Sequence, residues 1–313
     1  MRENLLGWAL QLETKFPSGD LAIFRTGETA EIWLSRSQVL ALLSHMVLCS
    51  LPSTGVRQTY CWASLQPWLT RDSGPARAYL SCLASLFSQH SPSPSHSSQL
   101  DSQLITFSRL SSQTSELPDW VQSEAPLISL HTCCPSSIGR QDHQEVELDF
   151  ANKDIGFGPG GTQEEILFGM TPEACPAVLL SPTLEDRESL LISGVARTGD
   201  WRGYGWEVEY AGPGDGHCRT ILCLDALELE DGVRARQQAG GRQLWRELAK
   251  CLTGFRACRG RGLATGAWGC GAFGGDKDVK LGESEATGVS FIYLCSDVQP
   301  YSWPQPVRRG WTD

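Results

Sequence analysis

Apolar residues recur in two rhythms along this chain, and the switch between them divides it. In the first third they recur at helical spacing. Val39-Leu40-Ala41-Leu42-Leu43 opens an apolar run that ends at Cys49. Ser35-Arg36-Ser37-Gln38 just before it has capping-box spacing, a hydroxyl residue followed three positions on by an amide. Together they predict a buried helix over 36–49. A second helix is predicted over 75–90, where Ala78, Cys82, Leu83, Leu86 and Phe87 fall on one face. His45 and His90 lie in these helices without a carboxylate or cysteine at ligand spacing, so they read as packed or solvated histidines. Residues 21–24 and 31–34 give weak strand patterns.

Ser91-Pro92-Ser93-Pro94-Ser95-His96-Ser97-Ser98 has no apolar content and reads as a loop. It predicts a linker over 91–103 between a helical region, 1–100, and a second region, 104–313. There the rhythm becomes that of strands. Residues 104–107, 127–130, 145–151, 188–194 and 219–225 read as strands, with helical patterns at 163–170 and 242–254 between them. Strands alternating with helices predict an α/β domain.

The richest stretch follows the strand at 145–151. Five of the six residues from Gly156 to Gly161 are Gly or Pro, so the backbone can turn sharply and approach a ligand. Thr162 can cap a helix that starts at Gln163, with Glu164 and Glu165 in its first turn, where acidic groups suit the helix dipole. Strand, glycine loop and helix N-terminus make an anion cradle. A second glycine-rich turn, Gly266-Ala267-Trp268-Gly269-Cys270-Gly271-Ala272-Phe273-Gly274-Gly275-Asp276, follows the apolar residues at 263–265. Two such turns in one α/β domain can clasp a phosphorylated ligand from two sides.

Bulk properties narrow the partners. The chain has 313 residues, 41% of them hydrophobic, enough for one large or two modest domains. Its net charge of −10 argues against binding to duplex nucleic acid, although backbone amides can still hold a phosphate. The 12 cysteines are scattered, many inside apolar runs, with no Cys-x-x-Cys. They read as buried thiols of a reducing compartment, and no metal site is expected. The N-terminus lacks a charged stretch leading into a sustained apolar one, so no secretory leader is expected. The run at 39–49, broken by Ser44 and His45, is too short to cross a bilayer, so no membrane partner is expected.

Gly156-x-Gly158-x-x-Gly161 satisfies the dinucleotide fingerprint, with Glu185 and Asp186 downstream. That fold, however, sets its first glycine directly after an apolar strand. Here Asn152-Lys153-Asp154 intervenes, the strand carries Asp149, and Pro159 stiffens the loop, so this reading is set aside. The adjacent Glu164 and Glu165 are more telling. Glycosidic cleavage needs a carboxyl that keeps its proton near neutral pH, and neighbouring carboxylates raise one another's pKa.

At these residues the chain resembles the poly(ADP-ribose) glycohydrolase family. The resemblance rests on Asp149-Phe150-Ala151-Asn152, the glycine loop, Gln163-Glu164-Glu165, Thr171-Pro172-Glu173, Gly203-Tyr204, Leu224-Asp225-Ala226-Leu227 and the run from Ala264 to Asp276. It is strong over 145–276 and fainter over 31–130. It implies a macrodomain-like three-layer α/β/α fold with a mixed sheet, preceded by a helical accessory region. It also implies hydrolysis of the ribose–ribose bonds of poly(ADP-ribose), without a cofactor, in the nucleus or cytoplasm, with ADP-ribosylated proteins as partners. By the same resemblance Glu165 is the catalytic acid. Glu164 and Asp149 hold ribose hydroxyls and orient it. Asn152 and Gln163 hydrogen-bond the terminal ADP-ribose, and Tyr204 covers it. Gly156, Gly158, Gly271, Ala272 and Phe273 line the diphosphate.

The chain also departs from the family. Its glycine loop is shorter, Phe157 replaces the middle glycine, and Ala267 stands where Asn is usual. After Asp276 a polar stretch replaces a long apolar helix before the strand expected at 289–294. Cys295 stands where an aromatic residue is expected, and the tail from Trp303 has no counterpart. These departures leave a second reading, an ADP-ribose-binding module that no longer turns over, and a third, a shortened member that does not fold stably.

Overall fold

A computed structural model of the chain describes residues 1–51, 64–113, 130–133, 146–229, 235–258, 261–280 and 292–295. Its strands are β1 (Ala30–Ser35), β2 (Leu104–Ser111), β3 (Leu130–Cys133), β4 (Val146–Asp149), β5 (Glu188–Ala196), β6 (Gly199–Arg202), β7 (Glu209–Pro213), β8 (Cys218–Cys223), β9 (Leu263–Thr265) and β10 (Ile292–Cys295). Eight of them form one mixed sheet in the order β1-β2-β5-β8-β4-β9-β10-β3, and β6 and β7 form a separate hairpin. The half from β1 to β8 is antiparallel, and β8, β4, β9, β10 and β3 run parallel.

Ahead of β2 the chain is mostly helical, with α1 (Arg2–Ala9), α2 (Leu12–Lys15), α3 (Arg36–Leu48), α4 (Gln66–Leu69), α5 (Gly74–Gln89) and α6 (Pro94–Asp101). Beyond it lie α7 (Gln163–Met170), α8 (Ala177–Leu180), α9 (Ala235–Gln238) and α10 (Gly241–Arg256). The capping box expected at Ser35 is present, with Gln38 returning to the Ser35 amide, and α3 is buried nearly all round. The expected face of α5 is buried at Ala78, Cys82, Leu83, Leu86 and Phe87.

Successive strand residues point to opposite faces, which sorts the core into two layers. Ile221 and Cys223 join Leu190, Ile192 and Phe107 beneath α3, α5 and α7. Leu222 and Leu224 join Val146, Leu148 and Leu263 beneath Cys251 and Phe255 of α10. A sheet covered by helices on both faces is the three-layer arrangement that the resemblance implies.

Two local expectations are corrected. The stretch read as a loop holds α6, with Pro94 at its first turn and Ser97 and Leu100 buried. Proline suits that first turn because its missing N–H is not needed there, and Leu100 supplies the anchor that the serines lack. Residues 21–24 form no strand; the Phe24 amide instead reaches the Leu180 carbonyl at 2.8 Å. The weaker pattern at 31–34 belongs to β1, which pairs with β2. The strand expected at 127–130 is described only from Leu130 onward, and that at 289–294 only from Ile292. The polar stretch 281–288 and the tail 303–313 lie outside the described residues. Cys82, Cys175, Cys223, Cys251 and Cys258 are buried free thiols. No described helix is long and apolar enough to cross a membrane.

Candidate active site

Because β8, β4 and β9 run parallel, the loops that leave them emerge at one edge of the sheet. The carboxyl edge of parallel strands is where α/β sheets bind ligands. The glycine loop at 156–161 follows β4. The turn carrying Gly271, Ala272 and Phe273 follows β9, one strand over. The Phe273 carbonyl there accepts the Leu229 amide at 3.0 Å, joining this turn to the loop after β8.

Asp149 ends β4. Val146 and Leu148 point into the α10 layer, so Glu147 and Asp149 point to the other face. Alternation alone suits a strand with one wet face, but β4 has a strand on each side and a layer on each face. Glu147 is therefore buried against Arg219 at 3.2 Å. Asp149 is 0% exposed, with the Cys223 thiol as the hydrogen-bonding group against its carboxyl. Burial pushes its pKa up to about 7, and the facing thiol of Cys223, its register partner on β8, pulls it part of the way back.

The helix α7 delivers the two glutamates from its first turn. Glu164 takes the amides of Gly156 at 2.9 Å and Asn152 at 3.1 Å, one on each oxygen. Burial holds its pKa well above the usual carboxylate range. The Asp149 charge adds to this, the two amides oppose it, and Glu165 adds a little more. Buried Asp149 and half-buried Glu164 thus form a pair of acids that cannot both ionise cheaply.

Glu165 closes the capping box of α7. Its Oε2 accepts the Thr162 amide at 2.8 Å and the Thr162 hydroxyl at 2.9 Å, and its Oε1 accepts the Gly160 amide at 3.1 Å. The glycines let the loop lie on this carboxylate. A Cβ at Gly158 would collide with Glu165 Oε1, and one at Gly160 would sit 2.9 Å from Oε2. Gly156 has φ of 148°, and a Cβ there would lie 2.6 Å from Val178 Cγ1. Phe157, the residue in place of a glycine, packs its ring on Trp68 with centroids 4.7 Å apart.

The remaining sequence candidates sit around this centre. Gln163 joins α7 to β4: its Oε1 accepts the Phe150 amide at 2.7 Å and its Nε2 donates to the Leu148 carbonyl at 2.9 Å. Both ends of its amide are engaged by main chain. Asn152 is exposed and turns its Oδ1 to the Asp154 amide at 3.0 Å. Tyr204 is 45% exposed. Burial raises the pKa of its phenol, with the Glu165 charge adding and the main-chain N–H of Gln163 opposing. The next residue, Gly205, donates to the Gly161 carbonyl at 2.8 Å, so Tyr204 stands at the rim of the glycine loop.

Three contributors are absent from the sequence reading. Cys223 faces Asp149 only because β8 and β4 pair in that register. Tyr79 donates its hydroxyl to the Glu165 carbonyl, and Trp68 donates its indole N–H to the Gly158 carbonyl at 2.9 Å. Tyr79 lies on the buried face of α5, where a phenol needing a partner is a usable signal. Trp68 carries no local signal. Among the described residues no group of three or more His, Cys, Asp or Glu side chains is placed to hold a metal ion.

Comparison with known proteins bears on this geometry. The family model for the macrodomain-fold part of poly(ADP-ribose) glycohydrolase matches residues 117–282, and the model for the helical domain of that enzyme matches 3–109. Poly(ADP-ribose) glycohydrolase 1 of Caenorhabditis elegans is 29% identical over 182 residues, covering 50% of this chain and 23% of its own. A probable poly(ADP-ribose) glycohydrolase 2 of Arabidopsis thaliana is 25% identical over 215 residues, covering 52% of this chain and 40% of its own. The chain spans well under half the length of either relative. Among solved structures, poly(ADP-ribose) glycohydrolase from Thermomonospora curvata aligns at 19% identity and a TM-score of 0.37, covering 57% of this chain and 74% of that one. The Deinococcus radiodurans enzyme in complex with ADP-ribose aligns at 19% identity and a TM-score of 0.35, covering 56% and 80%. The two family models take in both the helical and the sheet-bearing parts, and with them the glycine loop, the glutamates and the second glycine turn: the chain belongs to the poly(ADP-ribose) glycohydrolase family, a macrodomain fold behind a helical domain.

Proposed function

We propose that this chain hydrolyses the ribose–ribose bonds of poly(ADP-ribose) and releases ADP-ribose. The observation that carries the reading is the coupled acid pair of buried Asp149 and half-buried Glu164 beside Glu165, at a helix N-terminus lined with glycine-loop amides. Glu165 protonates the leaving ribose oxygen as the bond to an oxocarbenium-like carbon lengthens, then takes a proton from the attacking water. Glu164 holds the ribose hydroxyls, and Asp149, sealed off at 0% exposure, acts on it through their mutual charge rather than by touching the ligand; a protonated member of the pair can donate where a carboxylate can only accept. The amides of the loop and the dipole of α7 favour the diphosphate. Asn152 and Tyr204 bound the site at its rim, and the turn at 271–273 meets the ligand from the next strand. The family models and the relatives' names support the substrate class. ADP-ribosylated proteins in the nucleus or cytoplasm are the partners this reading implies.

One observation favours a second reading, an ADP-ribose-binding module. The carboxylate of Glu165 already takes three donors, from Gly160 and Thr162, within the shortened loop. Incubation of the purified chain with poly(ADP-ribose) separates the two. Release of ADP-ribose that disappears in Glu165→Gln is the expected result. Tight binding of polymer with no release overturns the hydrolase in favour of the binding module.

A further inference from the structure

The helical domain reaches into the site through two aromatic residues that none of the motifs contains. Tyr79 of α5 and Trp68 of α4 stack with ring centroids 3.4 Å apart and planes 15° from parallel. Each spends its one polar group on the main chain of the catalytic segment. The Tyr79 hydroxyl donates to the Glu165 carbonyl, and the Trp68 indole N–H donates to the Gly158 carbonyl at 2.9 Å. Phe157 completes the set by packing on Trp68, so the residue that replaces a glycine is the one that docks the loop on the helical domain.

The sequence leaves room for this contact at one place. Gly169 lies four residues after Glu165, on the same face of α7. A Cβ there would lie 2.9 Å from the Tyr79 ring and would collide with the ring of Trp201. Without a side chain at 169, both rings lie flush against α7, and the phenol oxygen reaches one turn back to the carbonyl of residue 165. Tyr79 also meets Trp201 edge-on, with centroids 4.8 Å apart, which holds its ring in place.

We infer that Trp68 and Tyr79 are positioning residues: they fix the glycine loop and the first turn of α7 relative to each other, and so place the Glu165 carboxylate. Neither has to touch substrate. Both act on main-chain carbonyls, one on each side of the amides of Gly160 and Thr162 that hold Glu165. A shortened loop has fewer internal contacts to define its shape, and an external clamp supplies that definition. The kinetic consequence rests on the hydrolase reading; the structural consequence does not.

Two variants remove the polar group and keep an aromatic ring, Trp68→Phe and Tyr79→Phe. The test reads amide hydrogen exchange at Gly160 and Thr162, together with kcat and KM for ADP-ribose release. Exchange at both amides is expected to quicken about ten-fold in each variant, because local opening costs less once an anchor is lost. Release is expected to show kcat down about ten-fold with KM within about two-fold, the pattern of a misplaced acid rather than lost binding. A general loss of packing would instead quicken exchange throughout α5 and α7, and that outcome overturns the inference. So does unchanged exchange at Gly160 and Thr162. If the unsubstituted chain releases no ADP-ribose, the hydrolase reading fails, and the exchange measurement alone still decides this inference.

Discussion

At the scale of single residues the site is a set of carboxyls in contrasting surroundings. Asp149 is buried on a central strand between a thiol and a second acid, Glu164, whereas Glu165 is surrounded by three donors. An acid with a higher pKa folded than unfolded binds its proton more tightly in the folded state, so stability falls where the unfolded chain has lost that proton and the folded one has not. For Asp149 that window runs from its ordinary value of 3.8 to about 7. The stability is fully present below the lower limit and is lost as pH rises through the upper one. Asp149→Asn keeps the shape and cannot ionise. It is expected to lessen the pH dependence of the thermal midpoint across this window, with Glu164 supplying the remainder, and to melt above the unsubstituted chain at pH 8. Glu165→Gln makes a second residue-scale prediction. Glutamine also closes a capping box, so the variant is expected to lose release of ADP-ribose while its unfolding free energy stays within about 1 kcal/mol. A large loss of stability in a urea melt would show that the charge of Glu165 serves folding.

At the scale of elements, α7 sets a structural duty and the proposed acid in one turn. Thr162 caps it, and the residue that returns the cap is Glu165. Thr162→Ala is expected to cost about 1 kcal/mol in a denaturant melt, with Thr162→Ser close to the unsubstituted chain. Because the lost hydroxyl also holds Glu165 Oε2, the alanine variant is expected to lower kcat as well. Elements of this kind are legible in sequence when their signals are local. The capping box at Ser35, the face of α5 and the Thr162 cap all rest on neighbours within four positions. Elements stabilised by distant partners are not. The helix α6 hides in a serine–proline stretch because one leucine and a proline at its first turn are its only local marks. Its distant support is the packing of Gln11 on the Pro92 carbonyl at 2.8 Å and of Lys15 on Asp101 at 2.7 Å. The strand β4 hides its burial for the same reason, since alternation records two faces and not what covers them.

At the scale of the molecule, the helical domain and the macrodomain are joined by more than a linker. The strand β1 extends the sheet of the second region, and Arg36 of α3 reaches across to Glu173. Its Nε lies 2.7 Å from one carboxylate oxygen and its Nη2 lies 3.2 Å from the other, and the guanidinium also donates to the Gly194 carbonyl at 2.7 Å and to Gln103 Oε1. Removing one partner of a buried pair strands the other without water. Arg36→Ala is therefore expected to cost about 3–5 kcal/mol in urea unfolding, and the double variant Arg36→Met, Glu173→Leu to recover much of it. If the single variant instead melts like the unsubstituted chain, the pair contributes nothing to holding the two parts together.

The amino-acid sequence determined the alternation of strands and helices, the caps, the two glycine turns and the pair of glutamates. Each of these depends on residue types a few positions apart, which is the range over which backbone propensity and capping act. Only the tertiary structure decided that Asp149 is dry, that Cys223 faces it, that Gln163 is spent on the main chain, and that Trp68 and Tyr79 grip the glycine loop and the first turn of α7. Those facts follow from strand order, register and the packing of elements beyond the reach of a single turn, for Trp68 and Tyr79 more than eighty residues away, where the free energy lies in contacts that no local pattern records.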